Sequence, residues 1–160
     1  MSNPFKPIAI SLLPNFSVRD LFEKEKLMPE NVIYFENGRT AEYFLLKALD
    51  IGAGDEVIIQ AFTCVAVPNS ILWTGANPIF IDIDGSLNMD PEKLEKAITK
   101  KTKAVIWQST FGNPGEMERA KEICEENKIV FIEDGAHLGK IIGDLGFLSF
   151  GRDKAISGLY

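Results

Sequence analysis

The sequence predicts an α/β domain with a mainly parallel sheet that helices cover on both faces. Short apolar runs typical of buried strands alternate, from about residue 31 onward, with amphipathic stretches typical of helices. Alternation at this spacing is typical of parallel strands joined by helical crossovers. The chain has 160 residues, of which 46% are hydrophobic, and this is enough for one sizeable core.

The predicted elements follow one another without an internal repeat, a low-complexity tract or an interdomain linker. Residues 1–30 contain four prolines and are predicted to form an N-terminal arm, extended and with at most one short helix. Strands are predicted at 32–35, 56–60, 78–83, 103–108 and 129–133. Helices are predicted over 40–50, over 66–73, from Pro91 onward, and over 116–127.

Two of the helices have clear sequence signals. In the first, apolar residues recur at helical spacing on one face, and the glycines at 52 and 54 stop it. That face consists of Ala41, Phe44, Leu45, Ala48 and Leu49. In the third, Asp90 is the expected N-cap and Pro91 the first helical residue.

Charge and composition exclude several classes of protein. The 17 basic and 23 acidic residues give a net charge of −6 and are interleaved, so no nucleic-acid partner is expected. The apolar runs are too short to span a bilayer, and the first residues lack the layout of a secretory signal. The two cysteines do not have the spacing of a disulfide framework. We therefore expect a cytoplasmic protein without a membrane partner.

The last thirty residues place a carboxylate and an amine on separate loops. The strand at 129–133 leads directly to Asp134, and Lys154 follows in a later polar segment. This pair suits a pyridoxal phosphate site, because the cofactor needs an amine for its aldehyde and an anion for its pyridine nitrogen. Taken alone, the aspartate could equally cap a helix and the lysine could be a solvated charge.

Several further motifs accompany this pair along the sequence. They are Gly-Asp-Glu-Val at 54–57, Phe62-Thr63, Gly75-Ala76-Asn77-Pro78 followed by Asp82, Thr102-Lys103-Ala104, Glu133-Asp134, and Ser149-Phe150 with Lys154. Through these motifs the chain resembles the N-terminal part of the DegT/StrS-type sugar aminotransferases, which are pyridoxal phosphate enzymes with the aspartate aminotransferase fold. The resemblance implies that residues 31–160 are a partial cofactor-binding large domain of fold type I, truncated and without the C-terminal small domain.

The resemblance also implies a role for individual residues. Lys154 would be the catalytic residue, which bonds to the cofactor and moves a proton, and Asp134 would pair with the pyridine nitrogen. The remaining cofactor-binding residues would be Gly38, Arg39, Thr40 and Ser149 at the phosphate, and Cys64 and His137 beside the ring. Glu133 would orient its neighbours. The implied substrates are glutamate and a nucleotide-linked keto sugar, and the implied assembly is a homodimer.

Each of these residues also has a simpler interpretation. Gly38 could merely allow a tight turn, with Thr40 as the helix cap. Cys64 could be a core cysteine and His137, the one histidine of the chain, a structural side chain. Lys154 could belong to a solvated charge cluster with its neighbours at 152 and 153.

Two other functions stay open at this point. The chain could be a catalytically silent remnant or assembly partner that keeps the fold without completing a site. It could also be a nucleotide-binding oxidoreductase domain, although no Gly-x-Gly-x-x-Gly turn precedes a helix in this sequence.

Overall fold

The computed structural model describes residues 8–11, 32–143, 145–151 and 154. These residues form a seven-stranded sheet in which all paired strands run parallel, in the order β2-β1-β7-β6-β5-β3-β4. The strands are β1 (Ile8–Ser11), β2 (Val32–Phe35), β3 (Glu56–Gln60), β4 (Asn77–Ile81), β5 (Thr102–Gln108), β6 (Val130–Asp134) and β7 (Gly146–Leu148). The predicted α/β class with a parallel sheet is confirmed.

Four α-helices connect the described strands. They are α1 (Gly38–Ala48), α2 (Ala66–Thr74), α3 (Pro91–Ala97) and α4 (Met117–Asn127), and a short 3₁₀ turn covers Thr110–Gly112. Asp90 caps α3 as predicted, since its side chain accepts from the amides of Glu92 and Lys93. Among the described residues, no helix has the length and apolar character needed to cross a membrane.

The central strands alternate between two cores, one on each face of the sheet. In β3, Val57 and Ile59 pack with α1 and α2, whereas Ile58 packs with α3 and α4. In β5, Ile106 belongs to the first core and Trp107 to the second. The sheet is therefore covered on both faces, which explains why its strands read as continuous apolar runs.

The buried face of α1 differs from the predicted one. Phe44 was expected inside but is 49% exposed, and its ring stacks on Phe35 at a centroid distance of 5.3 Å. The buried residues of this helix are Ala41, Glu42, Leu45 and Leu46. The helix also ends at Ala48, before the two glycines that were expected to stop it.

Two strands were not predicted from the sequence. Ile8–Ser11 lies between β2 and β7 and pairs in parallel with both, and Gly146–Leu148 pairs with β1 and β6. The other residues of the expected arm at 1–30 lie outside the described residues. These two strands matter for function because they bring the end of β2 toward the end of β7.

Neighbouring positions of α2 give a direct test of this layering. Ile71 is completely buried and Leu72 is 55% exposed. We expect Ile71→Ala to lower the free energy of unfolding by about 2 to 5 kcal/mol, because the substitution leaves a cavity in the core. Leu72→Ala is the matched control and should change it by less than about 0.5 kcal/mol. Urea denaturation followed by circular dichroism measures both, and equal effects would contradict the assigned face.

Candidate active site

The predicted site residues follow the carboxyl ends of four strands. Because the strands are parallel, these ends meet at one edge of the sheet, where α/β proteins bind ligands. The residues are Gly38, Arg39 and Thr40 after β2, Cys64 after β3, Asp134 and His137 at and after the end of β6, and Ser149 and Lys154 after β7.

The turn after β2 is an N-capped helix start. The side chain of Asn37 accepts from the amide of Thr40 at 2.9 Å and from its hydroxyl at 3.2 Å. The interpretation of Thr40 as the cap is therefore wrong, since Asn37 has that role. The first helical hydrogen bond is from Ala41 to the carbonyl of Asn37. Within the described residues, the amides of Gly38 and Arg39 have no acceptor, as is usual in the first turn of a helix.

This helix start lies beside the segment after β7. A Cβ atom built on Gly38 would be 3.4 Å from Cβ and 3.6 Å from Oγ of Ser149. The two free amides and the hydroxyl of Ser149 are thus close to the positive end of the α1 dipole, an arrangement that suits a phosphate. The guanidinium of Arg39 lies 5.7 Å from the ring centroid of Trp73 and adds a positive charge nearby.

Asp134 is a buried carboxyl at the end of β6. Asp134 is only 5% exposed, and its Oδ1 atom accepts a hydrogen bond from the amide of Ala136 at 2.9 Å. Burial raises the pKa of Asp134 to about 6, while the hydrogen bond from Ala136 and the charge of Lys154 act in the opposite direction. A carboxylate held in this way has a strong preference for a cationic partner.

Lys154 acts electrostatically on both predicted residues of the β6 loop. Its charge lowers the pKa of Asp134 and also that of His137, for which burial is the larger cause. The lysine is half-buried, and its amide donates to the carbonyl of Gly151 at 3.0 Å. The neighbours at 152 and 153, which suggested a charge cluster, lie outside the described residues. The structure therefore brings the predicted amine and carboxylate into one region.

The loop after β3 presents Cys64 to solvent. The alternative that it is a core cysteine is therefore wrong. The preceding residue, Thr63, donates from its hydroxyl to Oε1 of Gln108 at 2.6 Å, which ties this loop to the end of β5. Cys64 consequently lies at the same edge of the sheet as Asp134, on a loop that a hydrogen bond anchors to β5.

Glu133 has a structural function in the described residues. It is buried, and its carboxylate accepts from the amides of Ile142 and Gly143. These two bonds hold the segment that leads from the β6 loop into β7. Glu133 therefore fixes the connection that precedes β7, and its orienting role at the cofactor site stays a prediction.

Sequence reasoning missed Glu42, a buried acid on α1. It is 1% exposed, and its Oε1 atom has no hydrogen-bond partner among the described residues. Burial raises the pKa of Glu42 well above its ordinary value of 4.5, and the negative charge of Asp134 raises it further. The signal was available, because Glu42 stands beside Ala41 and one turn before Leu45 and Leu46 in the buried stripe.

The structure also has a cleft that none of these residues lines. This cleft of about 760 Å³ lies beside α3 and α4 and is lined by Asp84, Asp90, Pro91, Glu92, Glu95, Lys96, Glu116, Arg119 and Ile123. It contains none of the predicted site residues. Within 8–11, 32–143, 145–151 and 154, no group of three or more His, Cys, Asp or Glu side chains could hold a metal ion.

The sequence matches the DegT/DnrJ/EryC1/StrS aminotransferase family over residues 20–156. It is 42% identical over 117 residues to the pleiotropic regulatory protein of Geobacillus stearothermophilus. This match covers 69% of this chain and 32% of that protein. It is 37% identical over 109 residues to the dTDP-4-dehydro-2,3,6-trideoxy-D-glucose 4-aminotransferase of Saccharopolyspora spinosa, covering 68% of this chain and 28% of that enzyme. The chain thus spans about a third of the length of these relatives.

The fold is also similar to solved structures. Spr1654 of Streptococcus pneumoniae, solved in its PLP form, superimposes with a TM-score of 0.68 at 29% sequence identity. The match covers 74% of this chain and 36% of that one. The sequence match and the structural match therefore both lead to aminotransferases.

The buried carboxyl of Asp134 predicts a pH-dependent stability. Its pKa rises on folding from the ordinary 3.8 to about 6, so the folded state binds the proton more tightly than the unfolded state. This contribution to the free energy of unfolding is fully present below about pH 4 and is lost as the pH rises through 6. The loss amounts to about 3 kcal/mol. Asp134→Asn keeps an oxygen for the amide of Ala136 and should remove this loss.

The measurement is urea denaturation of the protein without added ligand at several pH values between 4 and 7. Asp50→Asn is the control, because Asp50 is exposed and its φ of 57° is also favourable for asparagine. If wild type and Asp134→Asn show parallel pH profiles, the burial assigned to Asp134 is wrong.

Proposed function

Because this chain belongs to the DegT/DnrJ/EryC1/StrS aminotransferase family, we propose that it binds pyridoxal phosphate (PLP) and forms the cofactor-binding part of a nucleotide-sugar aminotransferase. The observation that carries this proposal is the buried carboxyl of Asp134 within the electrostatic reach of Lys154. Residues 31–160 are, in this proposal, a partial large domain of the aspartate aminotransferase type.

The chemistry of the donor set fits the cofactor. PLP has a dianionic phosphate, a basic ring nitrogen and an aldehyde, and each has a counterpart at the carboxyl edge of the sheet. The amides of Gly38 and Arg39 and the hydroxyl of Ser149 would hold the phosphate. Asp134 would accept from the protonated ring nitrogen, and Lys154 is the amine for the aldehyde.

Two further residues complete the proposed site, and one is less suited than expected. His137 and Cys64 lie on the loops after β6 and β3 and would flank the ring. The hydroxyl and amide of Thr40 both bond to Asn37, so Thr40 is better placed to stabilise the helix start than to bind the phosphate directly. In our proposal, Thr40 supports the phosphate site through Asn37.

When bound, PLP supplies an electron-withdrawing ring that stabilises negative charge on the substrate carbon. Asp134 is mostly ionised at pH 7, because its pKa is about 6, and an anion at this position would keep the ring nitrogen of the bound cofactor protonated. Lys154 would provide the amine that holds the cofactor. The same amine would be the group that carries a proton between two carbon positions.

The proposed reaction is transfer of an amino group from glutamate to a nucleotide-linked keto sugar. The Saccharopolyspora spinosa relative, named for a dTDP-linked dehydro sugar, supports this substrate class. Glutamate as donor follows from the family resemblance alone. We propose the cytoplasm as location, which agrees with the two free thiols of Cys64 and Cys124.

The cofactor proposal can be tested by reductive trapping. Purified protein is mixed with PLP, dialysed, examined by absorbance and reduced with borohydride, and its peptides are weighed by mass spectrometry. We expect a persistent near-visible band and the added mass on Lys154. Lys154→Ala should lose both signals because it lacks the amine. Lys140→Ala, which removes an exposed lysine from the β6–β7 connection, should keep them.

The absence of a band, or labelling spread over surface lysines, would contradict the proposal and favour a catalytically silent remnant or assembly partner. If trapping succeeds, the release of 2-oxoglutarate from added glutamate tests the amino donor. No release with glutamate, but release of a keto acid from another amino acid, would contradict the donor while leaving the cofactor site intact.

We also propose that the chain forms a homodimer. Large apolar side chains stay accessible on the side of the sheet that α1 and α2 cover, among them Phe44 and Val65, which are about half and two thirds exposed. Size-exclusion chromatography with light scattering should give the mass of two chains. Phe44→Lys should shift the population toward one chain, because it places a charge in the apolar surface. A wild-type mass of one chain would contradict this proposal.

A further inference from the structure

The 3₁₀ turn after β5 contacts the proposed cofactor site through one residue. The amide of Phe111 donates to Nδ1 of His137 at 3.2 Å. The two rings are also stacked, with centroids 5.7 Å apart and an angle of 2° between their planes. Phe111 thus makes both a hydrogen bond and a ring contact with the one histidine of the chain.

The backbone of Phe111 is in an unusual conformation. Its φ of 52° and ψ of 25° lie in the left-handed region, which is rare for a bulky residue and costs free energy. Core burial does not explain this conformation, since Phe111 is 73% exposed. The next residue, Gly112, is also left-handed, and a Cβ atom there would be 3.5 Å from the carbonyl oxygen of His137. The strained turn therefore brings its backbone against the loop that carries the histidine.

The hydrogen bond determines which imidazole nitrogen carries the proton. A backbone amide can only donate, so Nδ1 of His137 must offer its lone pair. In the neutral ring the proton is then on Nε2. Burial lowers the pKa of His137, and so does the charge of Lys154, which favours the neutral ring. Asp134 stands three residues earlier in the sequence, at the end of β6.

We propose that Phe111 is a positioning residue, which fixes His137 as the tautomer protonated on Nε2 and so makes it a hydrogen-bond donor toward the cofactor. The orientation toward PLP rests on the function proposed above, whereas the tautomer does not. A donor at this place suits an anionic or carbonyl-type oxygen on the ring and does not suit a protonated one. The stacked ring of Phe111 holds the imidazole plane of His137 in place, and the amide of Phe111 determines which imidazole nitrogen is protonated.

Nitrogen-15 NMR of the protein without its purification tag tests this inference directly, because a single histidine gives one set of imidazole signals. We expect the two-bond proton–nitrogen pattern of the Nε2-protonated tautomer. We also expect a scalar coupling across the hydrogen bond between the amide nitrogen of Phe111 and Nδ1 of His137. A proton on Nδ1, or the absence of this coupling in the wild-type protein, would overturn the proposal.

Three variants separate positioning from general structure. Phe111→Ala should lose the coupling and give a mixture of tautomers, since the turn loses the ring contact that offsets its strain. It should also raise the pKa of His137, because the imidazole is less buried without the phenyl ring. Phe111→Tyr should keep the wild-type signals because it retains the ring. Phe80→Ala removes an exposed phenylalanine from strand β4 and should leave them unchanged. Wild-type signals in Phe111→Ala would overturn the positioning role.

A PLP titration then tests the orientation toward the cofactor. We expect Phe111→Ala to bind PLP about twofold to tenfold more weakly than Phe111→Tyr, which is the effect of one neutral hydrogen bond. Equal affinities would overturn the orientation toward PLP. If neither wild type nor variants bind PLP, the proposed function fails, but the tautomer and its coupling still decide whether Phe111 positions His137.

Discussion

The common direction of the seven described strands is the constraint on which the rest of the structure depends. Parallel pairing requires each strand to be followed by a crossover, so every loop that leaves a carboxyl end lies at the same edge of the sheet. Gly38 and Ser149 become neighbours in this way, although they are far apart in the sequence. The pairing of β1 with both β2 and β7 is decisive, because without it the amides of α1 would not meet the segment that carries Ser149 and Lys154.

The sequence predicted the elements that depend on local signals. Strands β3 and β5 are almost completely buried and β4 and β6 are partly buried, so their apolar runs are recognisable without tertiary information. Ile8–Ser11 could not be predicted in the same way, since its two partners are distant in the chain and prolines surround it. Phe44 was placed inside because apolar residues were counted on one face of α1. In the structure, its stack on Phe35 stabilises it at the surface, and Glu42 takes a buried position instead.

The same distinction applies to the candidate site. Residue types at strand ends could be read from the sequence, and the structure brings Asp134, His137, Ser149 and Lys154 to one edge, while their functional roles stay predictions. What the sequence could not predict are contacts between separate loops. Two examples depend on backbone geometry. The side chain of Asn37 accepts hydrogen bonds from Thr40, and Phe111 makes a hydrogen bond and a ring stack with His137. A left-handed phenylalanine has no reliable sequence signal, because most such residues are glycine or asparagine.

Asp134 and Glu42 are two buried acids that interact electrostatically. Burial raises the pKa of Glu42 well above its ordinary value and the charge of Asp134 raises it further, and because this repulsion is mutual, each acid holds its proton more tightly when the other is ionised. Two buried negative charges so close together would therefore disfavour each other. The charge of Lys154 lowers the pKa of Asp134, whereas the Oε1 atom of Glu42 has no hydrogen-bond partner among the described residues. In the proposed site, a cationic ring nitrogen beside Asp134 would stabilise the negative charge of Asp134 and offset its repulsion by Glu42.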